Sequence, residues 1–402
     1  MRLLHTSDWH LGRSFHGHST LPQLREVLAA FPGLVTQHAV DLVAVAGDVF
    51  DHAAPAPEYY EELAAAIRGI RDAGAEVVFI SGNHDNATRL GFQAEWAALG
   101  GVHMLTRADA FRRPVALADE HGTVDVYGIP FLEPMLHRGL YPEERLREHR
   151  TLLARVMTEI NEQRAARGNR SVVLSHCFAA NVGANEEAVA EAVAAGRDLV
   201  WDLTSGGVDL VPAHVFTGPD YVALGHLHGR SQLAPQIRYS GAPLHFSFSE
   251  ADRPRGAWLV ELGATGFEGA EWVPLPIPRP LARLRGPLEE LLAAEEHAVH
   301  SESWVEATLT DAVRPIDAMR RLRERFPHCA RIEFAPEGST PTARRSYASR
   351  VAERSDTDVI DEFLQHVRGG EGLAADERVV VAEALAAAHT DTRPTATTGG
   401  SE

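Results

Sequence analysis

Gly82-Asn83-His84-Asp85 sets an amide, an imidazole and a carboxylate side by side, directly after the apolar run Val77-Val78-Phe79-Ile80-Ser81. A run of this composition reads as a buried strand. Its polar groups would emerge at the carboxyl end, the edge where open α/β sheets bind ligands. Four other apolar runs end the same way. Leu3 to Ser7 delivers Asp8-Trp9-His10, and Leu42 to Ala46 delivers Gly47-Asp48. Ser171 to Leu174 delivers Ser175-His176, and Tyr221 to Leu224 delivers Gly225-His226-Leu227-His228. Singly these are weak signals, because the chain has 21 histidines and glycine-aspartate pairs mark turns everywhere. The recurrence, five times in order, carries the argument.

Collected, Asp8, His10, Asp48, Asn83, His176, His226 and His228 supply two carboxylates, four imidazoles and one amide. This thiolate-free nitrogen and oxygen set suits a pair of manganese, iron or zinc ions better than a structural zinc site. A magnesium-only site would use fewer imidazoles. Asp48, after a glycine at a strand end, is the natural bridging carboxylate. Two ions roughly 3.5–4 Å apart clamp a phosphate and acidify a water for in-line attack on phosphorus. His84 is expected to face the substrate rather than a metal and to give a proton to the leaving oxygen. Asp51, three residues after Asp48, is the carboxylate expected to orient it.

The elements that must hold these groups follow from the rest of the chain. Its 402 residues suggest two or three domains, and 45% hydrophobic residues can bury a sizeable core. A formal net charge of -18 argues against coating nucleic acid by bulk attraction. Bound cations and local arginine patches can still reverse the sign of a cleft. All basic side chains are arginine, so a basic contact to phosphate would be a planar guanidinium. Two cysteines, Cys177 and Cys329, give neither a disulfide framework nor a zinc finger. With no leader and no membrane-length apolar run, the expectation is a soluble cytoplasmic protein with no membrane association.

Helices are expected at 21–40, 58–73 and 143–167, alternating with the strands above and with strands at 115–117, 124–129, 237–240 and 257–262. That alternation predicts a parallel or mixed sheet covered by helices. Residues 178–210 read as an irregular excursion. Pro274-Leu275-Pro276-Ile277-Pro278-Arg279-Pro280 reads as a stiff connector. Beyond it, strands at 304–309 and 330–334 flank a helix at 316–326. Two further helices fall at 355–368 and 377–389, the first with Ser355 and Asp358 as a capping box and an apolar stripe from Val359 to Val367. Arg279, Arg283 and Arg285, and Arg320, Arg321, Arg323 and Arg325, are candidates to meet phosphates, against the plainer reading of a solvated face.

The ordered motifs resemble those of the calcineurin-like metallophosphoesterases. His5-Thr6-Ser7-Asp8-Trp9-His10-Leu11-Gly12, Gly47-Asp48-Val49-Phe50-Asp51, Tyr221-Val222-Ala223-Leu224-Gly225-His226-Leu227-His228 and Tyr239-Ser240-Gly241-Ala242-Pro243 are similar to the SbcD-type nuclease subunits within that family. The resemblance runs from Met1 to about Leu262 and continues weakly beyond. It implies an α/β fold of the α+β type, a four-layer sandwich over 1–273. The connector 274–280, a small α+β capping domain at 281–340, C-terminal helices at 346–389 and a disordered tail from 390 to 402 would follow.

The resemblance further implies two divalent ions, manganese first among them. One would lie on Asp8, His10, Asp48 and His228, the other on Asp48, Asn83, His176 and His226, with His84 as the catalytic histidine. Archaeal and eukaryotic relatives carry a histidine where this chain has Asp51, in keeping with the bacterial branch. The implied activity is an ATP-regulated 3′-to-5′ double-strand exonuclease and single-strand or hairpin endonuclease in DNA repair and recombination. The implied partners are DNA, an SbcC-type SMC-like ATPase docked by the C-terminal helices, and a second copy of this chain in a heterotetramer. The rivals are a small-molecule phosphodiesterase or nucleotidase with the same metals, and a non-catalytic scaffold on the same fold.

Overall fold

The computed structural model describes residues 1–181, 210–336, 355–367 and 372–390. The expected excursion at 178–210, the start of the C-terminal segment at 346–354, the break at 369–371 and the tail from 391 lie wholly or largely outside the described residues. Residues 1–335 form one compact unit and 336–402 another.

The first unit is built on two six-stranded sheets. Across the first, the order is Gly266–Pro274, Gly256–Gly263, Arg2–Thr6, Leu42–Val45, Glu76–Phe79 and Val102–Met104. Across the second, it is Ser231–Ala234, Ile237–Tyr239, Tyr221–Gly225, Arg170–His176, Gly122–Ile129 and Val115–Asp119. The central strands of both run parallel, and antiparallel strands close three of the four edges, Val102–Met104 being a parallel edge strand.

Alternate residues of the central strands feed different layers, as the two-residue period requires. Leu3, Leu42 and Val78 face Val126, Val172 and Ala223 between the sheets. Leu4, Val43 and Val77 face outward against Leu24, Phe31 and Ile70 of the helical layer. On the far side, Leu152, Val156 and Ile160 of helix His149–Arg167 cover the second sheet. The result is a four-layer mixed α/β sandwich. Because its central strands are buried on both faces, they read as continuous apolar runs rather than alternating ones.

His5 is a polar tie within this interior. It is fully buried, with Nδ1 2.9 Å from Tyr221 Oη and Nε2 3.1 Å from the Leu224 carbonyl, both on the second sheet. A carbonyl only accepts, so Nε2 donates and Nδ1 accepts from the phenol.

Several boundaries differ from the sequence reading. The expected helix at 21–40 is two, Leu21–Leu28 and Phe31–His38, with Pro32 in the first turn of the second. The long helix starts at His149, not 143. Strand Gly266–Pro274 was not foreseen, because most of its residues are half-buried or exposed and carry no apolar run.

After the proline stretch, strands Leu281–Gly286, Trp304–Leu309 and Cys329–Phe334 form a small parallel sheet. Its core holds Leu284, Leu291, Val305, Leu322 and Phe326. Trp304 joins Phe15 and Phe248 in a separate aromatic cluster. Most of the candidate arginines on this part are engaged within the protein. Arg321 pairs with Glu289, Arg320 with Glu324 and Arg283 with Asp252. Arg325 donates to the carbonyls of Leu292 and Ala294, and Arg323 to that of Cys329. The second unit contains helices Asp356–Val367 and Ala375–Thr390, and the Asp358 N–H donates to Ser355 Oγ at the start of the first. Among the described residues, no helix is long and apolar enough to cross a membrane.

Burial lowers the pKa of His5 from 6.5 to about 3. The folded protein therefore resists a proton that the unfolded chain accepts below about pH 6.5. Stability from this site is present above that pH and declines as pH falls toward the folded value. Between pH 7 and 5 the wild type should lose about 2 kcal/mol that a His5→Gln variant does not. Urea melts of both proteins at the two pH values measure the difference, and parallel losses would contradict it.

Candidate metal centre

The strand ends of both sheets meet at one edge of the sandwich, and the expected polar groups arrive there together. The backbone bends sharply to present them. Of the seven described non-glycine residues with left-handed φ, four lie here: Asp8 (53°), His10 (48°), Asp48 (48°) and His226 (108°). Such conformations cluster at functional sites because the surrounding structure must hold them. Asp8 N–H donates to the Gly47 carbonyl and His10 N–H to that of Asp48, which joins the first two loops. Asp85 accepts from the N–H groups of Val49, Phe50 and Gly82, which joins the second loop to the third.

Asp48 sits at the middle. Its Oδ1 accepts the His84 N–H at 3.0 Å. Its Oδ2 lies 3.6 Å from His10 Nε2 on one side and 3.4 Å from His176 Nε2 on the other. On the His10 side, His10 Nε2 faces His228 Nε2 at 3.1 Å, and Asp8 completes the group with donor atoms within 4.8 Å of one another. On the His176 side, Asn83 Oδ1 lies 3.0 Å from His176 Nε2 and 3.1 Å from His226 Nδ1. All seven sequence-predicted donors therefore converge, in two groups that share Asp48.

The far atoms of these side chains are also held. His176 Nδ1 donates to the Ala46 carbonyl at 2.8 Å, leaving Nε2 to face the centre. Asp8 accepts the His226 N–H and the Ser7 hydroxyl. Phe246 stands edge-on to both His10 and His228, with ring centroids 5.4 and 5.5 Å away.

Charge in the pocket suits cations. Asp8 and Asp48 are essentially buried. Burial alone would raise the Asp48 carboxyl, but His176, His10 and His84 beside it hold it well below the usual carboxylate range. Burial likewise works against charge on His176, yet Asp48 outweighs it and the pKa rises to about 9. Burial lowers His10 to about 4 and His226 to about 3, so both are neutral at pH 7 with a lone pair to offer. Carboxylates and the neutral imidazoles of His10 and His226 are donors that borderline divalent cations take, and a cation here would displace the proton from His176. The residues fit two such ions.

The arrangement around His84 differs from expectation in one contact. Its Nδ1 lies 2.9 Å from the main-chain carbonyl of Asp51 and 3.9 Å from that residue's carboxylate. The carboxylate is nearer His10 Nδ1, at 3.1 Å though not aligned for a hydrogen bond, and it pairs with Arg13 at 3.2 Å. A position three residues after Asp48 locates the loop but not which of its oxygens points where. A ring nitrogen of His84 also stands within donor range of His10 and Asp48. Its Nδ1 is taken by the Asp51 carbonyl, however, and the ring stands 38% exposed at the mouth.

Two residues of the site were not picked out from sequence as parts of it. Asp85 was read only as the end of a motif. Glu250 lies beyond the segment Tyr239 to Pro243, which carried a resemblance but no assigned role, and its carboxylate reaches His228 Nδ1 at 3.6 Å.

Asp48 faces both groups, so Asp48→Ala should lower occupancy of both ions together. Manganese titration followed by the paramagnetic resonance of free Mn2+ should fall from two ions bound to none in the micromolar range. Retention of either ion at wild-type affinity would remove the bridging assignment.

Comparison with known proteins places the chain in a family. The family model of the calcineurin-like phosphoesterases matches residues 1–230. The model described as the type 5 capsule protein repressor C-terminal domain matches residues 277–368. The chain is 24% identical over 371 residues to the SbcD subunit of the SbcCD nuclease of Staphylococcus saprophyticus, covering 92% of this chain and 94% of that one. Two solved structures superpose with low scores. One is GAP50, the anchor in the inner membrane complex of Plasmodium, with 8% identity, TM-score 0.36, 84% of this chain and 98% of that one covered. The other is a dimetal phosphatase from Danio rerio, with 12% identity, TM-score 0.35, and 69% and 99% covered.

Proposed function

The chain belongs to the calcineurin-like phosphoesterase family, and from that membership we propose that this metal-dependent phosphoester hydrolase is the DNA-cutting subunit of an SbcCD-type complex. The observation that carries the reading is the placement of Asp48 Oδ2 between His10 and His176, 3.6 and 3.4 Å away, with the other six donors around it. The likeness to a nuclease subunit extends over nearly the whole chain, including residues after 274 that a minimal phosphoesterase does not need. That extent favours DNA over a small nucleotide ester.

Bound at these donors, a pair of divalent ions, manganese first among them, supplies an acidified water and neutralises charge on the phosphodiester. The residues divide the remaining work. Asp8, His10, Asp48 and His228 would hold one ion, and Asp48, Asn83, His176 and His226 the other. Asp48 also fixes the His84 loop through Oδ1. His84 Nδ1 donates to the Asp51 carbonyl, so Nε2 is the nitrogen that exchanges a proton. From the mouth of the site it protonates the departing oxygen of the cut strand. Asp51 orients His84 through the main chain and supports His10 through the carboxylate. The products expected are those of a 3′-to-5′ exonuclease on duplexes and an endonuclease on single strands and hairpins, under ATP control by a partner.

His84→Ala should leave manganese affinity and melting temperature nearly unchanged while cleavage of linear duplex DNA falls about 100-fold or more. Unchanged cleavage would remove the role of His84. Faster turnover of a nucleotide ester than of DNA by the wild type would favour the nucleotidase reading.

Assembly is proposed on two surfaces. Phe92, Trp96 and Leu99 follow helical spacing around helix Ala94–Ala98 and are 80%, 77% and 85% exposed. An apolar stripe of this size is costly in water, and a two-fold axis would cover it on both copies at once. The helices within 346–389 are proposed to dock on an SMC-like ATPase. Light scattering of the complex with such an ATPase tests both. Deleting 346–389 should release the ATPase and keep the dimer, whereas Trp96→Glu should give monomers. The opposite pattern would exchange the two assignments.

A further inference from the structure

We propose that Glu250 is the positioning residue of His228, holding its ring so that Nε2 turns into the metal centre. The proposal rests on the reading of Asp8, His10 and His228 as ligands. His228 Nε2 faces His10 Nε2 at 3.1 Å, so the opposite nitrogen, Nδ1, points away from the centre. Glu250 Oε1 lies 3.6 Å from that nitrogen. Its other oxygen, Oε2, accepts the Phe246 N–H at 3.2 Å and pairs with Arg255. Arg255 in turn donates to the His228 carbonyl at 2.5 Å and to the Ala242 carbonyl at 3.3 Å. The pair thus grips His228 at both ends, the main chain through the guanidinium and the ring through the carboxylate.

Both charged residues are almost fully buried, Glu250 at 4% and Arg255 at 2% exposure. A buried ion pair contributes little net stability compared with apolar groups of the same shape. Stability alone therefore does not account for a carboxylate placed here. Orientation of a ligand does. A metal-ligating imidazole is fixed in ring angle and tautomer by an acceptor on its far nitrogen. The same site shows the pattern elsewhere, since His176 Nδ1 meets the Ala46 carbonyl and His10 Nδ1 lies beside the Asp51 carboxylate. Glu250 places a third oxygen beside the far nitrogen of a ligand-candidate imidazole, 3.6 Å from His228 Nδ1. It reaches the site from the short 3-10 turn Phe248–Glu250, whose neighbour Phe246 walls both His10 and His228.

The test uses the full chain. Nitrogen-15 imidazole spectra of the metal-free wild type should show His228 protonated on Nδ1; protonation on Nε2 would overturn the proposal without any variant. Glu250→Leu combined with Arg255→Met removes the pair and its acceptor without stranding a charge. In this variant one of two manganese affinities should weaken about tenfold or more, with the other unchanged. Two unchanged affinities in the folded variant would overturn the positioning role. Wild-type protein that takes up no manganese would overturn the metal reading, and this proposal with it, by a distinct result.

Discussion

Two sheets touching main chain to main chain at the ends of their strands is the constraint from which the rest of this structure follows. A Cβ on Gly225, at the end of a second-sheet strand, would stand 1.9 Å from the Ala46 carbonyl at the end of a first-sheet strand. A Cβ on Gly82 would stand 2.0 Å from Asp48 Oδ1. Neither position has room for a side chain, and each glycine directly precedes a metal-ligand candidate. Close approach is what lets side chains as short as Asp48 and Asn83 share a pocket with imidazoles from the opposite sheet. A site assembled this way is rigid, because moving one donor means parting two packed sheets.

Electrostatics adds a second demand. Two carboxylates are held where water is largely excluded, and the chain as a whole is acidic at -18. Burial keeps His10 and His226 neutral, while Asp48 draws positive charge toward His176. The pocket is therefore arranged for cations at its centre and for substrate anions only once those cations are present. Among the described residues, Arg320, Arg321, Arg323 and Arg325 are committed to carboxylates and carbonyls of the protein itself.

Much of this was legible in the chain because the chemistry repeats one physical pattern. A strand buried on both faces is an unbroken apolar run, and a polar group after it must surface at the sheet's edge. Five repeats located every convergent donor, from Asp8 to His228. What stayed hidden has a physical cause in each case. The oxygen that reaches His84 belongs to the main chain of Asp51, and main-chain atoms have no sequence signature. Strand Gly266–Pro274 lies half-exposed at an edge, so it lacks the burial that writes apolar runs. The break between helices Leu21–Leu28 and Phe31–His38 falls within one continuous apolar stripe, where only Pro32 marked it.

Glu250 shows why the missing signal matters. No apolar run introduces it, since it sits on a turn between Phe248 and the loop to Gly256. Its contacts nonetheless link two parts of the molecule. Phe248, two residues before it, packs with Phe15 and with Trp304 of the small C-terminal sheet. Phe246, two residues earlier again, packs on His10 and His228 and carries Arg13 over its ring at 4.8 Å. One short segment thus touches the ligands on one face and the added sheet on the other. Any displacement of Trp304 must be absorbed within a few residues of His228, because packed aromatic rings transmit strain rather than dissipate it. The added sheet and the metal centre therefore share a wall, and that wall is the segment from Phe246 to Glu250.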